Sequence, residues 1–95
     1  MRELLAKAIC EKLVIQFIYH DRLRIGQPHK LGHQKGNLIL EIYQTGGSSQ
    51  SSQSAGWRAF DVDEISQLGL TNDYFTIRSD FDGSRDRWES TIAEV

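Results

Sequence analysis

The stretch "VIQFIYHDRLRIGQ", residues Val14–Gln27, decides the fold, because it holds two strand patterns separated by a turn. Its first half is a β-branched and aromatic run that ends at Tyr19; it is too short for a free-standing helix and typical of a buried strand. Its second half begins at Arg22 and alternates charged with apolar residues, as in a strand with one solvent-exposed and one buried face. His20-Asp21 suits a tight turn between the halves. The stretch therefore predicts two strands joined by a tight turn.

A helix precedes this stretch and further short strands follow it. Between Arg2 and Lys12 apolar residues recur at helical spacing, which predicts an amphipathic helix of about three turns. Gly26 and Pro28 indicate a bulge or a sheet edge, because proline has no N–H to give to a strand ladder. Strand patterns recur in segments 29–33, 38–43, 57–62 and 74–78. One helix and several short strands predict a mainly β fold, a small barrel with a helical cap.

The segment 46–56 separates two of these strands and contains only Gly, Ser and Gln besides Ala55. Nothing in it can form a core, so we expect a mobile hairpin loop between two paired strands. Loop-closure entropy rises by only about 0.6 kcal/mol per doubling of length. The insertion therefore costs the fold little.

The chain has 95 residues, of which 39% are hydrophobic and 25% charged, which suits one small folded domain. We expect that domain to span residues 1–79 and residues 80–95 to form an acidic, partly disordered tail. The segment 20–36 is basic, but the net charge of −2 argues against coating nucleic acid by bulk electrostatics. The sequence shows no membrane-spanning run and no secretory leader, and it has a single cysteine, Cys10. These features predict a cytoplasmic protein without a membrane partner.

No assembled catalytic set is evident in the sequence. The segment "TGGSSQSS", residues 45–52, lacks the Lys-Ser/Thr ending of a phosphate-binding loop. The histidines His20, His29 and His33 have no cysteine nearby and match no common zinc pattern. We therefore predict that the protein is not an enzyme and uses neither a metal nor a cofactor.

Cationic side chains are the remaining candidates for a binding site. Most lysines and arginines are solvated surface charges, and those of the basic segment fit that interpretation. Arg58 differs, because it lies in a predicted strand between Trp57 and Phe60. Its planar fork suits bidentate contact with a phosphate or carboxylate. The sequence therefore favours Arg58 as part of an anion site.

The order of several short motifs resembles the WYL domain over about residues 4–75. The motifs are a strand ending in Tyr19, Arg24 before Pro28, Gly36 before Leu38-Ile39-Leu40, the triplet Arg58-Ala59-Phe60, and Ile65. The resemblance implies an Sm-like or SH3-like five-stranded barrel behind one helix. It also implies a bacterial sensing module, often in transcription regulation, that binds a nucleotide or single-stranded nucleic acid.

These interpretations lead to one predicted function and one alternative. The resemblance assigns Tyr19, Arg24 and Arg58 to the ligand, and the basic segment adds Arg22 and Lys30. The predicted function is a non-enzymatic regulatory module that binds an anionic ligand through these five residues. The alternative is a protein–protein interaction or oligomerisation module with an open barrel edge. Glu64, which replaces an arginine of the family pattern, and the acidic tail favour the alternative.

Overall fold

The computed structural model describes residues 1–47, 55–85 and 87–95, which form one helix and six strands. Strand makes up 60% of the structure, so the prediction of a mainly β fold with one N-terminal helix is confirmed. The helix is α1 (Arg2–Glu11), the strands are β1 (Leu13–Tyr19), β2 (Arg22–Gln34), β3 (Asn37–Gly47), β4 (Gly56–Asp61), β5 (Ile65–Tyr74) and β6 (Ser90–Glu94), and a 3-10 turn (Val62–Glu64) joins β4 to β5.

All six strands belong to one antiparallel sheet. Its main path runs β4-β3-β2-β1-β5, and β6 pairs with β2 off this path. Over the described ranges β4 and β5 are not paired with each other, so the sheet is not closed. The observed sheet thus differs from the predicted five-stranded barrel in its number of strands and in its two open ends.

Two tight turns of two residues each fix the register of neighbouring strands. His20 and Asp21, with φ of 50° and 63°, connect the paired residues Tyr19 and Arg22. Lys35 and Gly36, with φ of 52° and 80°, do the same between β2 and β3. Two successive positive φ angles match the right-handed twist of a hairpin. The turn predicted at His20-Asp21 is therefore present.

The long strand β2 is the centre of the sheet. Its first part pairs with β1 and its second part with β6, while β3 runs along its other side. Irregular register near Gly26 and between Pro28 and Lys30 bends it, as expected where proline interrupts a ladder. The two separate strands predicted on either side of Pro28 are thus one bent strand.

The helix α1 covers the core at one side of the sheet. Leu5, Ala8 and Ile9 on one face of α1 are fully buried, and α1 contacts β1, β2, β5 and β6. Lys12 ends the helix in the left-handed conformation with φ of 58°. The core beneath α1 consists of strand residues with little or no exposure, together with Val62 of the 3-10 turn; the strand residues are Leu13, Ile15, Phe17, Leu31, Leu40, Ile42, Phe60, Ile65 and Ala93.

The C-terminal third differs from the sequence prediction. The strand predicted at 74–78 is wrong: β5 ends at Tyr74, and the Phe75 N–H donates to the Lys12 carbonyl at 2.9 Å outside any strand. The segments 75–85 and 87–89, together called the crossing segment, contact side chains of β2, β3 and β4. β6 follows within the stretch predicted as an acidic tail. Upstream, β3 and β4 pair as expected, and most of the loop predicted to connect them lies outside the described residues.

None of the helical structure described for this chain is long and apolar enough to cross a membrane.

Candidate functional site

Three arginines meet at the end of the sheet where the β1–β2 turn lies. On β2, Arg22 and Arg24 stand opposite Tyr19 and Phe17 of β1, which places both arginines on the face of the sheet that carries the aromatic core. On β4, Arg58 stands opposite the buried Ile42 of β3 and shares that face. We call Arg22, Arg24 and Arg58 the arginine mouth. Of the predicted ligand set, these three residues and Tyr19 are brought together.

Arg24 is the most enclosed member of the arginine mouth. Its guanidinium carbon lies 5.8 Å from the ring centroid of Tyr19 and 5.5 Å from that of Phe60. Its Nη2 makes a long contact of 3.5 Å to the Tyr19 carbonyl, whereas its buried Nε has no hydrogen-bond acceptor in the described part of the chain. Among the described residues, no carboxylate lies within ion-pair distance of Arg24. A buried donor without an acceptor is costly and marks a place where an external acceptor fits.

The electrostatics of the arginine mouth disfavour its own positive charges. Burial lowers the pKa of Arg24 below its ordinary value, the charges of Arg22 and Arg58 lower it further, and Tyr19 opposes the shift. The guanidinium stays protonated at neutral pH nevertheless, because its ordinary pKa is far above 7. The mouth is therefore a cluster of like charges that an anion would stabilise.

An aromatic platform and one acid border the arginine mouth. The Tyr19 hydroxyl accepts a hydrogen bond from the Asp61 backbone N–H at 3.2 Å, which orients the ring. The His20 ring stacks on Tyr19 at a centroid distance of 4.2 Å, and the half-exposed Glu64 contacts His20 Nε2 through Oε1 at 2.6 Å. The carboxylate of Glu64 is thus held by His20 at the rim of the mouth.

Lys30 does not belong to the arginine mouth, although the sequence grouped it there. Its ammonium is buried, lies 3.0 Å from Glu94, donates to the Gly83 carbonyl at 2.6 Å and faces the Trp88 ring at 4.8 Å. These partners fix β6 and the crossing segment to β2. Lys30 has a structural role in this arrangement, because its charge is already matched.

A second feature lies along β4, where a cleft of about 330 Å³ is lined by Glu41, Trp57, Arg58, Ala59 and Arg85. Strand alternation puts Trp57 and Arg58 on opposite faces, yet both line this cleft. The reason is that Arg58 turns back along the strand, where its Nη1 donates to the Trp57 carbonyl at 2.9 Å. Arg58 therefore belongs both to the arginine mouth and to the cleft.

Beneath the cleft, a buried histidine organises the aromatic side chains. His29 has no exposed surface and its ring lies 4.9–5.1 Å from those of Trp57, Phe75 and Phe81. Its Nε2 accepts the Arg78 backbone N–H at 3.2 Å, so its Nδ1 carries the proton and donates to the Gln27 carbonyl at 2.9 Å. Burial lowers the pKa of this imidazole. His29 is therefore a neutral ring that fastens the crossing segment to β2.

Sequence reasoning missed Glu41, Arg85 and the role of His29. Glu41 occupies a strand position next to apolar residues, which is a weak signal of an unusual carboxylate, but its partner Arg85 lies 44 residues away. No sequence pattern around Glu41 or around Arg85 predicts that contact. Within the described ranges, no group of three side chains of the metal-binding types comes together.

Comparison of the chain with protein-family models, with curated proteins and with solved structures gives no match. The resemblance to the WYL domain thus stays a prediction, and the functional argument rests on the geometry of this chain.

Proposed function

We propose that this protein is a WYL-like, non-enzymatic sensing module that binds a nucleotide or a short single-stranded nucleic acid at the arginine mouth. The open path of five strands behind one helix is compatible with a relative of the Sm-like and SH3-like barrels. Transcription regulation is the process in which such a module would act.

One observation carries the proposal: the Arg24 guanidinium is enclosed by two aromatic rings and two further arginines, and its Nε has no acceptor. A phosphate oxygen would supply that acceptor and a negative charge together. The planar guanidinium group of arginine can donate two hydrogen bonds to two oxygens of one phosphate. The free energy that the like charges cost the folded chain would then be recovered on binding.

The aromatic residues around the mouth suit a nucleobase. The stacked rings of Tyr19 and His20 form a half-exposed surface next to Arg24. Stacking of a base on an aromatic side chain contributes about 1–3 kcal/mol and tolerates any base. The ligand class is therefore an anion with an aromatic ring.

The experiment is an NMR titration of the ¹⁵N-labelled chain with a thymidine hexanucleotide and with ATP. We expect the largest shift changes at Tyr19, Arg24 and Arg58. Arg24→Gln removes one charge with a side chain of similar length and should weaken binding about tenfold or more, since charge-assisted hydrogen bonds contribute about 1.5–3 kcal/mol.

The matched control is Arg2→Gln, which removes one charge at the exposed start of α1. It should leave the affinity nearly unchanged. Equal effects of the two substitutions would mean that net charge, and not the arginine mouth, attracts the ligand.

A second candidate function is protein–protein interaction, and the open ends of the sheet favour it. β4 ends the main path of the sheet, and an unpaired strand edge is a template for another chain. Analytical ultracentrifugation across a hundredfold range of concentration tests self-association. Addition of strand-forming peptides, followed at the β4 amides, tests binding of another chain.

A further inference from the structure

The cleft along β4 contains a buried carboxylate that is only half satisfied. The Glu41 side chain is 4% exposed, and its Oε2 accepts from Arg85 Nη2 at 2.6 Å. Its other oxygen, Oε1, is buried and has no hydrogen-bond partner among the residues that the structure describes. A buried carboxylate needs donors at both oxygens to offset its lost hydration. A ligand with N–H donors that enters the cleft could therefore bond to Glu41 Oε1.

Arg85 already shows which chemical group the cleft accepts. Its guanidinium carbon lies 5.6 Å from the Trp57 ring centroid, and its nitrogen contacts Glu41. A carboxylate beside an aromatic face is a favourable environment for a guanidinium. The Arg85 side chain is nevertheless 44% exposed, whereas its backbone is held by the Trp88 indole N–H, which donates to the Arg85 carbonyl at 3.0 Å. Rotation of the side chain alone would therefore vacate the cleft. The side chain is thus an occupant that can be exchanged.

We propose that the Glu41–Trp57 cleft is an arginine-binding site, held by Arg85 in the isolated chain and taken over by an arginine side chain of a partner polypeptide. An incoming guanidinium that binds bidentately would fill Oε1 as well as Oε2, which Arg85 does not do. This inference rests on the second candidate function, because the cleft is lined in part by β4, whose far edge has no partner strand in the described ranges. A partner strand that pairs with that edge brings its side chains next to the cleft.

Arg58 makes this site distinguishable from the anion site. Its guanidinium lines the cleft, so its charge opposes a second cation there and attracts an anion at the arginine mouth. Replacing it by a neutral residue should therefore act in opposite directions on the two ligands. Arg58→Gln should strengthen binding of an arginine peptide and weaken binding of the thymidine hexanucleotide.

The test uses three ligands: acetyl-Thr-Val-Arg-Val-Thr-amide, the same peptide with citrulline, the uncharged counterpart of arginine, and the small molecule N-ethylguanidinium. Each is titrated into the labelled full chain and into Arg85→Ala, while the Trp57 indole N–H and the β4 amides are followed by NMR. We expect the arginine peptide to bind Arg85→Ala about tenfold more tightly than the unsubstituted chain, because the internal competitor is gone. We expect citrulline to cost about tenfold, the loss of one charge-assisted contact.

Four outcomes decide the matter. Preference for arginine that grows in Arg85→Ala and disappears when Glu41→Gln is added supports the site. Equal binding of both peptides overturns the arginine site and leaves the strand edge as an interaction surface. No binding of either peptide overturns both. Binding of N-ethylguanidinium without the arginine peptide overturns the choice of a polypeptide partner. Where Arg85→Ala does not fold, Arg85→Gln, whose amide can still donate to Glu41, serves in the same comparison.

Discussion

At the scale of single residues, Arg24 illustrates a conflict between stability and binding. Burial and the charges of Arg22 and Arg58 oppose its protonated form, while its side chain packs on Tyr19 and Phe60. Methionine keeps an unbranched side chain on those rings and removes the charge. We expect Arg24→Met to raise the free energy of unfolding in urea by about 0.5–2 kcal/mol, as stabilising changes at binding sites do, and to abolish oligonucleotide binding.

Arg2→Met, at the exposed N-terminal end of α1, is the control and should change the free energy of unfolding by less than about 0.5 kcal/mol. A clear loss of stability in Arg24→Met would contradict the argument. It would mean that the contacts of the guanidinium with the two rings outweigh burial and repulsion.

His29 gives a prediction for pH. Its pKa in the folded chain is lowered, mainly by burial and also by Arg78, while the Gln27 carbonyl and Asp80 oppose the shift. The unfolded chain therefore takes up a proton near pH 6.5 while the folded chain resists it. The stability due to neutral His29 is fully present above that pH and is lost as the pH falls through the lower folded value.

Urea unfolding at pH 7.5 and pH 5.5 measures this loss. His29→Gln should reduce the difference between the two values, because glutamine does not titrate, and it should lower stability at pH 7.5. His33→Gln, at a half-buried position whose ring contacts only the Ser90 hydroxyl in the described structure, is the matched control. An unchanged pH dependence in His29→Gln would contradict the assigned role.

At the scale of elements, the pairing of β2 with β6 depends on Gly32. A Cβ at this position would lie 2.2 Å from the Ser90 carbonyl oxygen and 2.9 Å from Trp88, so β6 would have to shift. We expect Gly32→Ala to lower the free energy of unfolding by about 1–3 kcal/mol, the usual cost of overpacking. Urea unfolding measures it.

Gly46→Ala is the matched control in another strand. Among the described residues, its Cβ would meet only Ile25, at 3.9 Å, and its φ is not positive. This substitution should be neutral or stabilising by up to about 1 kcal/mol, because alanine restricts the unfolded chain. Equal losses in both variants would show that the β2–β6 contact adds little to stability.

The elements also show how much the sequence could predict. Local signals succeeded: helical spacing located α1, and the turn residues His20-Asp21 located the first hairpin, because both depend on neighbours a few residues apart. The strand expected at 74–78 failed because Phe75 bonds to Lys12 across the fold. The position of Lys30 could not be foreseen for the same reason, since its contacts Glu94 and Gly83 are more than 50 residues away. Patterns of neighbouring residues do not predict contacts between residues that are far apart in the sequence.

At the scale of the whole molecule, ligand binding should depend strongly on salt. The net charge is −2, so attraction of an anion has to come from the local field of the arginine mouth. We assume that three phosphates of a single strand contact the three arginines. A plot of the logarithm of the association constant against the logarithm of salt concentration should then have a slope of about −2. Fluorescence titrations at four salt concentrations measure this slope.

Arg24→Gln should make that slope less steep by about 0.7, the contribution of one phosphate contact, whereas Arg2→Gln should leave it unchanged. A slope near zero in the unsubstituted chain would contradict an electrostatic site. A slope that no arginine of the mouth alters would place the contacts elsewhere.

The central position of β2, with strands along both of its sides, has a consequence for the time scales of amide hydrogen exchange. Each of its amides exchanges only when the strand to which it is bonded separates from the centre of the sheet, which approaches global unfolding. β4 has one strand neighbour in the described structure, so its amides should exchange through smaller and more frequent openings. Both proposed ligands use Arg58 or the cleft on β4, which is an edge strand in the described structure. Binding should therefore slow exchange in β4, whose opening would release the ligand, and should slow exchange in β2 as well, because a ligand that binds only the folded chain raises the free energy of global unfolding.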